Sequence, residues 1–384
     1  MKTVLVLTEN FPPMHGGSGR WFDELYSRLG DCKVIILADD KVDTQAFDKD
    51  YKLTIVRANL RSYEWGFKSL TGIKFYWNAV KALHKVVKQY KVDEIHCGRV
   101  IHEGVTAWLH KLIWKTPFIC YVHGEDIKTV AMSKEHSLMV KQVCKSANYL
   151  VCNSVNSAEL VEQLGFAEAQ KNKVLHPGVD AERFIPVAED LAFKTDKGWQ
   201  DRFVIITVGR LQKRKGHDIM IKALPSIKQQ HPNVLYVVIG DGEEKQYLEG
   251  LVDQFSLESD VQFLTGLNDL EMIKCYQQCD LFILPNRTIE NDIEGFGMVL
   301  LEAQACGKPV IAGDSGGTKE TMLIGETGWV LDCTEAQKLA NSMIPIIENK
   351  DRLQEMGAKG REHVLKELEW NVHAQKAKQI FFGN

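Results

Sequence analysis

The chain has 384 residues, 45% of them hydrophobic and 26% charged, with 47 basic against 51 acidic residues and a formal charge of -4. That composition excludes disordered and fibrous classes, and a near-neutral balance argues against a protein built to grip nucleic acid. At roughly 150 residues per domain, two or three domains are expected.

The first apolar run, Val4-Leu7, is ended by Glu9 and Asn10. It is too short for a signal-peptide core or a membrane span, and no other segment approaches 18 apolar residues. A soluble protein is expected, able to lie on a membrane surface. Further strands are expected at Val34-Ala38, Leu53-Val56, Glu94-Cys97, Phe118-Val122 and Tyr149-Asn153, with helices over Trp21-Leu29 and Phe75-Tyr90 between them. Such alternation implies a parallel sheet covered on both faces. Residues 176–200 carry two prolines, several charges and no clear period, and read as an inter-domain connection.

The pattern then restarts. Strands are expected at Phe203-Val208, Leu235-Ile239, Val261-Phe263, Leu281-Leu284 and Val310-Ala312, separated by helices over Asp218-Gln229, Glu244-Phe255, Asp269-Gln278 and Met298-Cys306. Two doubly wound domains in tandem follow, with ligands expected at the carboxyl ends of the strands in a cleft between them.

The nine cysteines are irregularly spaced and form no C-x-x-C, so neither a zinc ribbon nor a redox motif is signalled. They are expected to be buried and reduced in a cytosolic setting. Charge is uneven: residues 51–150 hold 16 Lys/Arg against 7 Asp/Glu, a net of +9. There Lys68, Lys74, Lys81, Lys85 and Lys88 interleave with Trp65, Phe67, Tyr76 and Trp77. Such a helix suits an anionic lipid surface, or is an ordinary solvated face beside core aromatics.

Four loops carry chemistry. Phe11 to Arg20 leaves the first strand and opens a helix near Arg20. Gly16 and Gly17 would let its backbone close on phosphate or sugar, yet the dinucleotide spacing G-x-G-x-x-G is absent. His123-Gly124-Glu125-Asp126 follows a strand, with Asp126 placed to cap the next helix. Arg210 and Lys215 bracket a turn after the first strand of the second domain, where two cations could neutralise a diphosphate. Glu294-Gly295-Phe296-Gly297-Met298 leads into a helix whose start favours an anion. Glu302, one turn inside, could accept hydrogen bonds from sugar or ribose hydroxyls. Alone, each also fits a structural role: a basic solvated loop, a plain turn, or an acid on a helix dipole.

As an ordered set these motifs resemble the GT4 family of retaining glycosyltransferases, which have the GT-B fold of two Rossmann-like domains facing a central cleft. Pro177-Gly178-Val179-Asp180, Arg183-Phe184, Ala303 to Ala312 and Ser315-Gly316-Gly317 extend the likeness over nearly the whole chain. Within the family, Asn10 to Gly17 and Asn286-Arg287-Thr288 with Glu294-Gly295 are most similar to PimB-type mannosyltransferases, which use GDP-mannose. Leu267 stands where those enzymes carry a basic residue, and His123-Gly124-Glu125-Asp126 replaces their H-G-H-E.

The resemblance implies an acceptor-binding domain over residues 1–178 plus 366–384, with a returning C-terminal helix, and a donor-binding domain over 179–365. It implies that Arg210 and Lys215 hold the donor diphosphate and Glu302 the ribose. Glu294 would hold the transferred sugar, with the amides of Phe296, Gly297 and Met298 nearby. His123 would touch that sugar, and Gly16 and Gly17 the diphosphate. Gly240, Gly266, Leu267 and Met272 would line the nucleobase. The implied reaction moves a hexose, mannose favoured, to a glycan or glycolipid acceptor by front-face substitution, with no cofactor. No D-x-D stands at a strand end, so no metal is required. The expected location is cytoplasmic, with a peripheral contact at the inner face of the membrane. A UDP-sugar transferase (glucosyl, galactosyl or N-acetylhexosaminyl) of polysaccharide biosynthesis stays open as the alternative, and a non-catalytic nucleotide-sugar binder as a remote one. Base, sugar, acceptor, linkage and oligomeric state stay open as well.

Overall fold

The computed structural model describes residues 1–14, 16–40 and 44–383. The chain divides into two compact units, Met1–Pro177 with Trp370–Asn384, and Gly178–Glu369.

The first unit is built on β1 (Thr3–Thr8), β2 (Lys33–Asp39), β3 (Thr54–Ala58), β4 (Glu94–Cys97), β5 (Phe118–Val122), β6 (Leu150–Cys152) and β7 (Asn172–Val174). All pair in parallel in the order β3-β2-β1-β4-β5-β6-β7. The long helix Leu70–Tyr90 covers one face. Ser69 starts it by accepting the Gly72 N–H at 2.9 Å, and the left-handed Lys91 ends it. The C-terminal helix Trp370–Phe382 packs on the helix Gly17–Tyr26, with Phe381 stacked against Tyr26 and Lys378 paired with Asp31 at 2.7 Å.

The second unit holds β8 (Phe203–Val208), β9 (Val234–Ile239), β10 (Val261–Leu264), β11 (Leu281–Leu284), β12 (Val310–Gly313) and β13 (Gly328–Leu331), again all parallel, in the order β10-β9-β8-β11-β12-β13. Its strands feed two cores alternately. Leu235, Val237 and Ile239 enter one, while Val234, Tyr236 and Val238 enter the other. That is the signature of a parallel sheet buried on both faces, and it explains why these runs are continuously apolar.

Three expectations shift. The first glycine loop opens its helix at Gly17 rather than near Arg20, because Gly16 already serves as the N-cap. The segment 176–200 is not mere connection. It contains a helix, Leu191–Lys197, capped by Asp190 (Phe193 N–H at 2.9 Å), and its Trp199 is fully buried in the second unit. The strands β7 and β13, absent from the sequence reading, are short and lie at sheet edges. β7 is Asn172-Lys173-Val174 with no apolar run, and β13 has only Trp329-Val330-Leu331 after a glycine, shorter than the roughly four to eight apolar residues that mark a strand. All nine cysteines are buried, each as a free thiol.

Strand order reverses between β1 and β4 in the first unit and between β8 and β11 in the second. Ligands of open parallel sheets sit outside the carboxyl ends at such switch points. The loops after β8 and β11 are the ones that carry Arg210, Lys215 and Glu294.

Candidate active site

In the second unit Gly209 follows β8. Its carbonyl lies so close to Gly240, after β9, that a Cβ on Gly240 would sit 2.0 Å from it. Beyond, Lys213–Lys215 form a single 3-10 turn closed by Gly216 at φ 77. A Cβ on Gly216 would stand 1.7 Å from the Pro285 carbonyl, so only glycine lets this turn rest on the strand-β11 loop. The turn leaves Lys213 exposed and folds Arg214 and Lys215 inward.

Both inward cations meet one carboxylate. Lys215 Nζ lies 2.5 Å from Glu294 Oε2, and Arg214 donates to the same oxygen. Arg214 also reaches Asp292 through Nε at 3.0 Å. Burial alone would raise the Glu294 pKa, but the charges and hydrogen bonds of Lys215 and Arg214 outweigh it and hold it below its ordinary value. Asp292 goes the other way, raised by burial despite Arg214.

The backbone of Glu294 is held too. Its carbonyl accepts the Gly317 N–H at 3.0 Å, and a Cβ on Gly316 would collide with it at 1.8 Å. Gly297 then caps the helix Met298–Ala305 at φ 92, wedged between Leu300 and Thr318. Leu300 N–H closes on the Gly297 carbonyl at 3.0 Å, which leaves the Met298 and Val299 amides at the helix start, where the positive end of its dipole lies. Glu302, one turn on, is buried and accepts the Tyr276 hydroxyl at 2.6 Å.

The remaining expected residues of the second unit lie in the segments that follow β8, β10 and β11. Arg210 is exposed after β8, and its side chain makes no hydrogen bond or ion pair among the described residues. Phe296 is buried, and Met298 packs on the same core. Gly266 follows β10 at φ 69 with open space around it. Leu267 and Met272 are half-buried against the core, beside a helix that starts in a capping box of Asn268 and Glu271.

In the first unit His123 stands at the end of β5. Its Nε2 lies 2.8 Å from the Gly98 carbonyl. A carbonyl only accepts, so Nε2 carries the proton and Nδ1 offers the lone pair in the neutral ring. Trp21 and Phe22 meet the ring edge-on. Asp126 Oδ1 accepts the His123 and Ile127 N–H groups, at 3.1 and 2.9 Å. Gly16 and Gly17 open the helix after β1, where His15 lies outside the described residues.

Sequence reasoning overlooked several groups. Nothing in Lys213-Arg214-Lys215 tells which cation turns inward; the 3-10 geometry decides it. Asp292 could have been noticed two residues before Glu294. At the first unit's switch point, Glu9 donates its N–H to Glu103 at 3.0 Å, and His102 Nε2 is 3.3 Å from the Glu9 carboxylate. Burial works to lower the His102 pKa, but Glu103 and Glu9 outweigh it and raise it. Among the described residues, no group of three His, Cys, Asp or Glu is placed to hold a metal ion.

Comparison with known proteins places this geometry. Residues 191–363 match the family described as Glycosyl transferases group 1, and residues 15–183 match Glycosyltransferase Family 4. Two α/β units with these matches define a glycosyltransferase of GT-B architecture, and the chain is an enzyme of that class. It belongs to glycosyltransferase family 4. It is 34% identical over 391 residues to the GDP-mannose-dependent alpha-(1-6)-phosphatidylinositol monomannoside mannosyltransferase of Mycolicibacterium smegmatis, covering 99% of this chain and 98% of that one. It is 27% identical over 386 residues to the GDP-mannose-dependent monoacylated alpha-(1-6)-phosphatidylinositol monomannoside mannosyltransferase of Corynebacterium glutamicum, covering 99% and 97%. In fold it resembles Anabaena HepE in complex with UDP-glucose, at a TM-score of 0.82 and 21% identity over 100% of both chains.

Proposed function

We propose that the protein transfers mannose from GDP-mannose to the sugar or cyclitol headgroup of a glycolipid, with retention at the anomeric carbon and without a metal. The observation that carries this reading is the convergence of Lys215, Arg214 and Glu294 beside a helix start in the second unit. The donor and acceptor class rest on the full-length relatives, which are named for GDP-mannose and phosphatidylinositol mannosides.

In this reading Lys215 and Arg210 take the diphosphate, with Arg214 as a further cation. The open amides of the helix at Met298 assist. Glu294 holds hydroxyls of the transferred sugar, and Glu302 holds the ribose. Gly240, Gly266, Leu267 and Met272 flank the base. The first unit takes the acceptor and contributes His123, Gly16 and Gly17. The bond from the anomeric carbon to the diphosphate oxygen breaks while the acceptor oxygen bonds to that carbon on the same face. The departing diphosphate oxygen takes the acceptor's proton. Two fixed cations stabilise the charge that develops on the leaving group, so EDTA leaves the rate unchanged. Loss of activity restored by magnesium or manganese overturns the metal-free step.

A peripheral membrane contact belongs to the same proposal. No described helix is long and apolar enough to cross a membrane. The helix Leu70–Tyr90 nevertheless turns Leu70 (86% exposed), Ile73 and Trp77 (60% exposed) to solvent beside Lys74, Lys81, Lys85 and Lys88. At about 100° per residue these seven fall on one stripe. Of the interleaved aromatics only Trp77 faces out, with Lys81 Nζ 4.7 Å from its ring. Tyr76 is buried and Trp65 and Phe67 pack on the core.

A titration panel of GDP, UDP and ADP tests the donor assignment. Tightest binding of GDP supports it. Tightest binding of UDP favours the UDP-sugar alternative, which the non-basic Leu267 leaves room for.

A further inference from the structure

We propose that Asn286-Arg287-Thr288, with Asp218, is the positioning frame of the donor site, and that Arg287 is its principal positioning residue. The inference rests on the donor-site reading above, and it assigns a task to residues that touch neither sugar nor phosphate there.

The tripeptide leaves β11 and sends its three side chains to two different neighbours. The Arg287 guanidinium grips Asp218 with both terminal nitrogens, at 2.8 and 3.0 Å, in a buried fork-to-fork pair. Its own N–H donates to the Arg214 carbonyl at 2.8 Å. Together with the tight seat of Gly216 on Pro285, these contacts fix the turn that carries Arg214 and Lys215. Asn286 faces the other way. Its amide donates to the Ser315 carbonyl at 2.9 Å and its oxygen accepts the Gly313 N–H at 3.0 Å. Thr288 and Ser315 share a hydroxyl bond of 2.9 Å. The segment they hold is the one whose Gly316 and Gly317 clamp the Glu294 backbone. Both partners of the Lys215–Glu294 contact therefore hang from one tripeptide.

Stability alone does not call for this design. A buried Arg–Asp pair carries a desolvation cost that well-packed apolar side chains would avoid. What the pair supplies is direction, because two parallel hydrogen bonds fix both distance and angle. Asp218 sits in the first turn of the helix His217–Lys228, where a carboxylate also meets the positive end of the dipole. A cation displaced by about 1 Å loses much of its effect on a reacting group.

The test uses the full chain and Arg287→Lys, which keeps the charge and loses the fork. GDP and GMP are titrated in parallel, with UDP and UMP as a second pair, alongside thermal unfolding. On the donor-site reading the framed cations stabilise the charge on the departing oxygen, which assigns them to the second phosphate, the one bonded to the sugar. Diphosphate affinity should therefore fall at least tenfold while monophosphate affinity stays within twofold, and turnover should fall through kcat more than KM. Asp218→Asn is the milder second variant and should show the same selective loss. Hydrogen exchange on the unaltered protein should show the Lys215 and Gly216 amides protected without nucleotide. Equal loss for mono- and diphosphate, no loss in folded variants, or freely exchanging amides each overturn the frame. If the unaltered chain binds no nucleoside diphosphate, the donor-site reading itself falls, and the frame with it.

Discussion

Replacing Glu294 with glutamine keeps its shape and removes the charge that Lys215 and Arg214 both face. On the proposed donor-site reading, this carboxylate holds the cations that the diphosphate would take, and it therefore competes with the donor. The Lys215 bond at 2.5 Å is charge-assisted, and such bonds contribute ~1.5–3 kcal/mol. At 1.4 kcal/mol per decade, removing the competitor could tighten GDP by roughly ten- to a hundredfold at most. Asp292 still faces Arg214 at 3.0 Å and keeps it partly neutralised. The expected gain is therefore about three- to tenfold. Transfer should move the opposite way and slow by at least about tenfold, because in the proposed role Glu294 is the charged acceptor of the sugar's hydroxyl protons. Removing one member of a buried ion pair costs up to ~3–5 kcal/mol of stability, so calorimetric titration is run well below the variant's unfolding midpoint. Unchanged or weaker GDP binding would refute the competition.

Arg210→Ala should weaken GDP by ~1.5–3 kcal/mol while leaving the unfolding midpoint unchanged, since the exposed side chain has no partner to lose. Equal GDP affinity in calorimetry would remove Arg210 from the phosphate site. His217 is buried against the Tyr236 hydroxyl, and burial lowers its pKa from 6.5 to about 4. The unfolded chain then binds the proton first. Stability is lost as pH falls from about 6.5 toward about 4, on the order of 2 kcal/mol at pH 5 for this group. Urea unfolding at pH 7 and pH 5 should show a smaller drop in His217→Phe; an identical drop contradicts the assignment. Trp77→Ser with Lys81→Glu should abolish sedimentation with anionic vesicles and leave GDP affinity intact. Retained sedimentation would rule out this face as the membrane contact.

The strands of both sheets were legible because a parallel strand buried on two faces is a continuous apolar run, as in Leu281–Leu284. The edge strands β7 and β13 were not: Asn172-Lys173-Val174 shows neither a run nor an alternation, and β13 offers only the three apolar residues Trp329-Val330-Leu331 behind a glycine. Within the site, Lys215 and Glu294 were nominated about eighty positions apart, and the structure brings their side chains into contact. Arg214 was invisible because a basic triplet has no inside until a 3-10 turn gives it one. Arg287 was read only as part of a likeness. Its proposed task depends on Asp218 and on the Arg214 carbonyl, and those contacts exist only once β8 and β11 lie side by side.

The central claim is tested most directly by offering radiolabelled GDP-mannose, UDP-glucose, UDP-galactose and UDP-N-acetylglucosamine separately, with a phosphatidylinositol monomannoside acceptor and EDTA present. The account predicts label in the lipid phase from GDP-mannose, joined through an α linkage in NMR. Label from a UDP-sugar alone, a β linkage, or no transfer from any donor would contradict it.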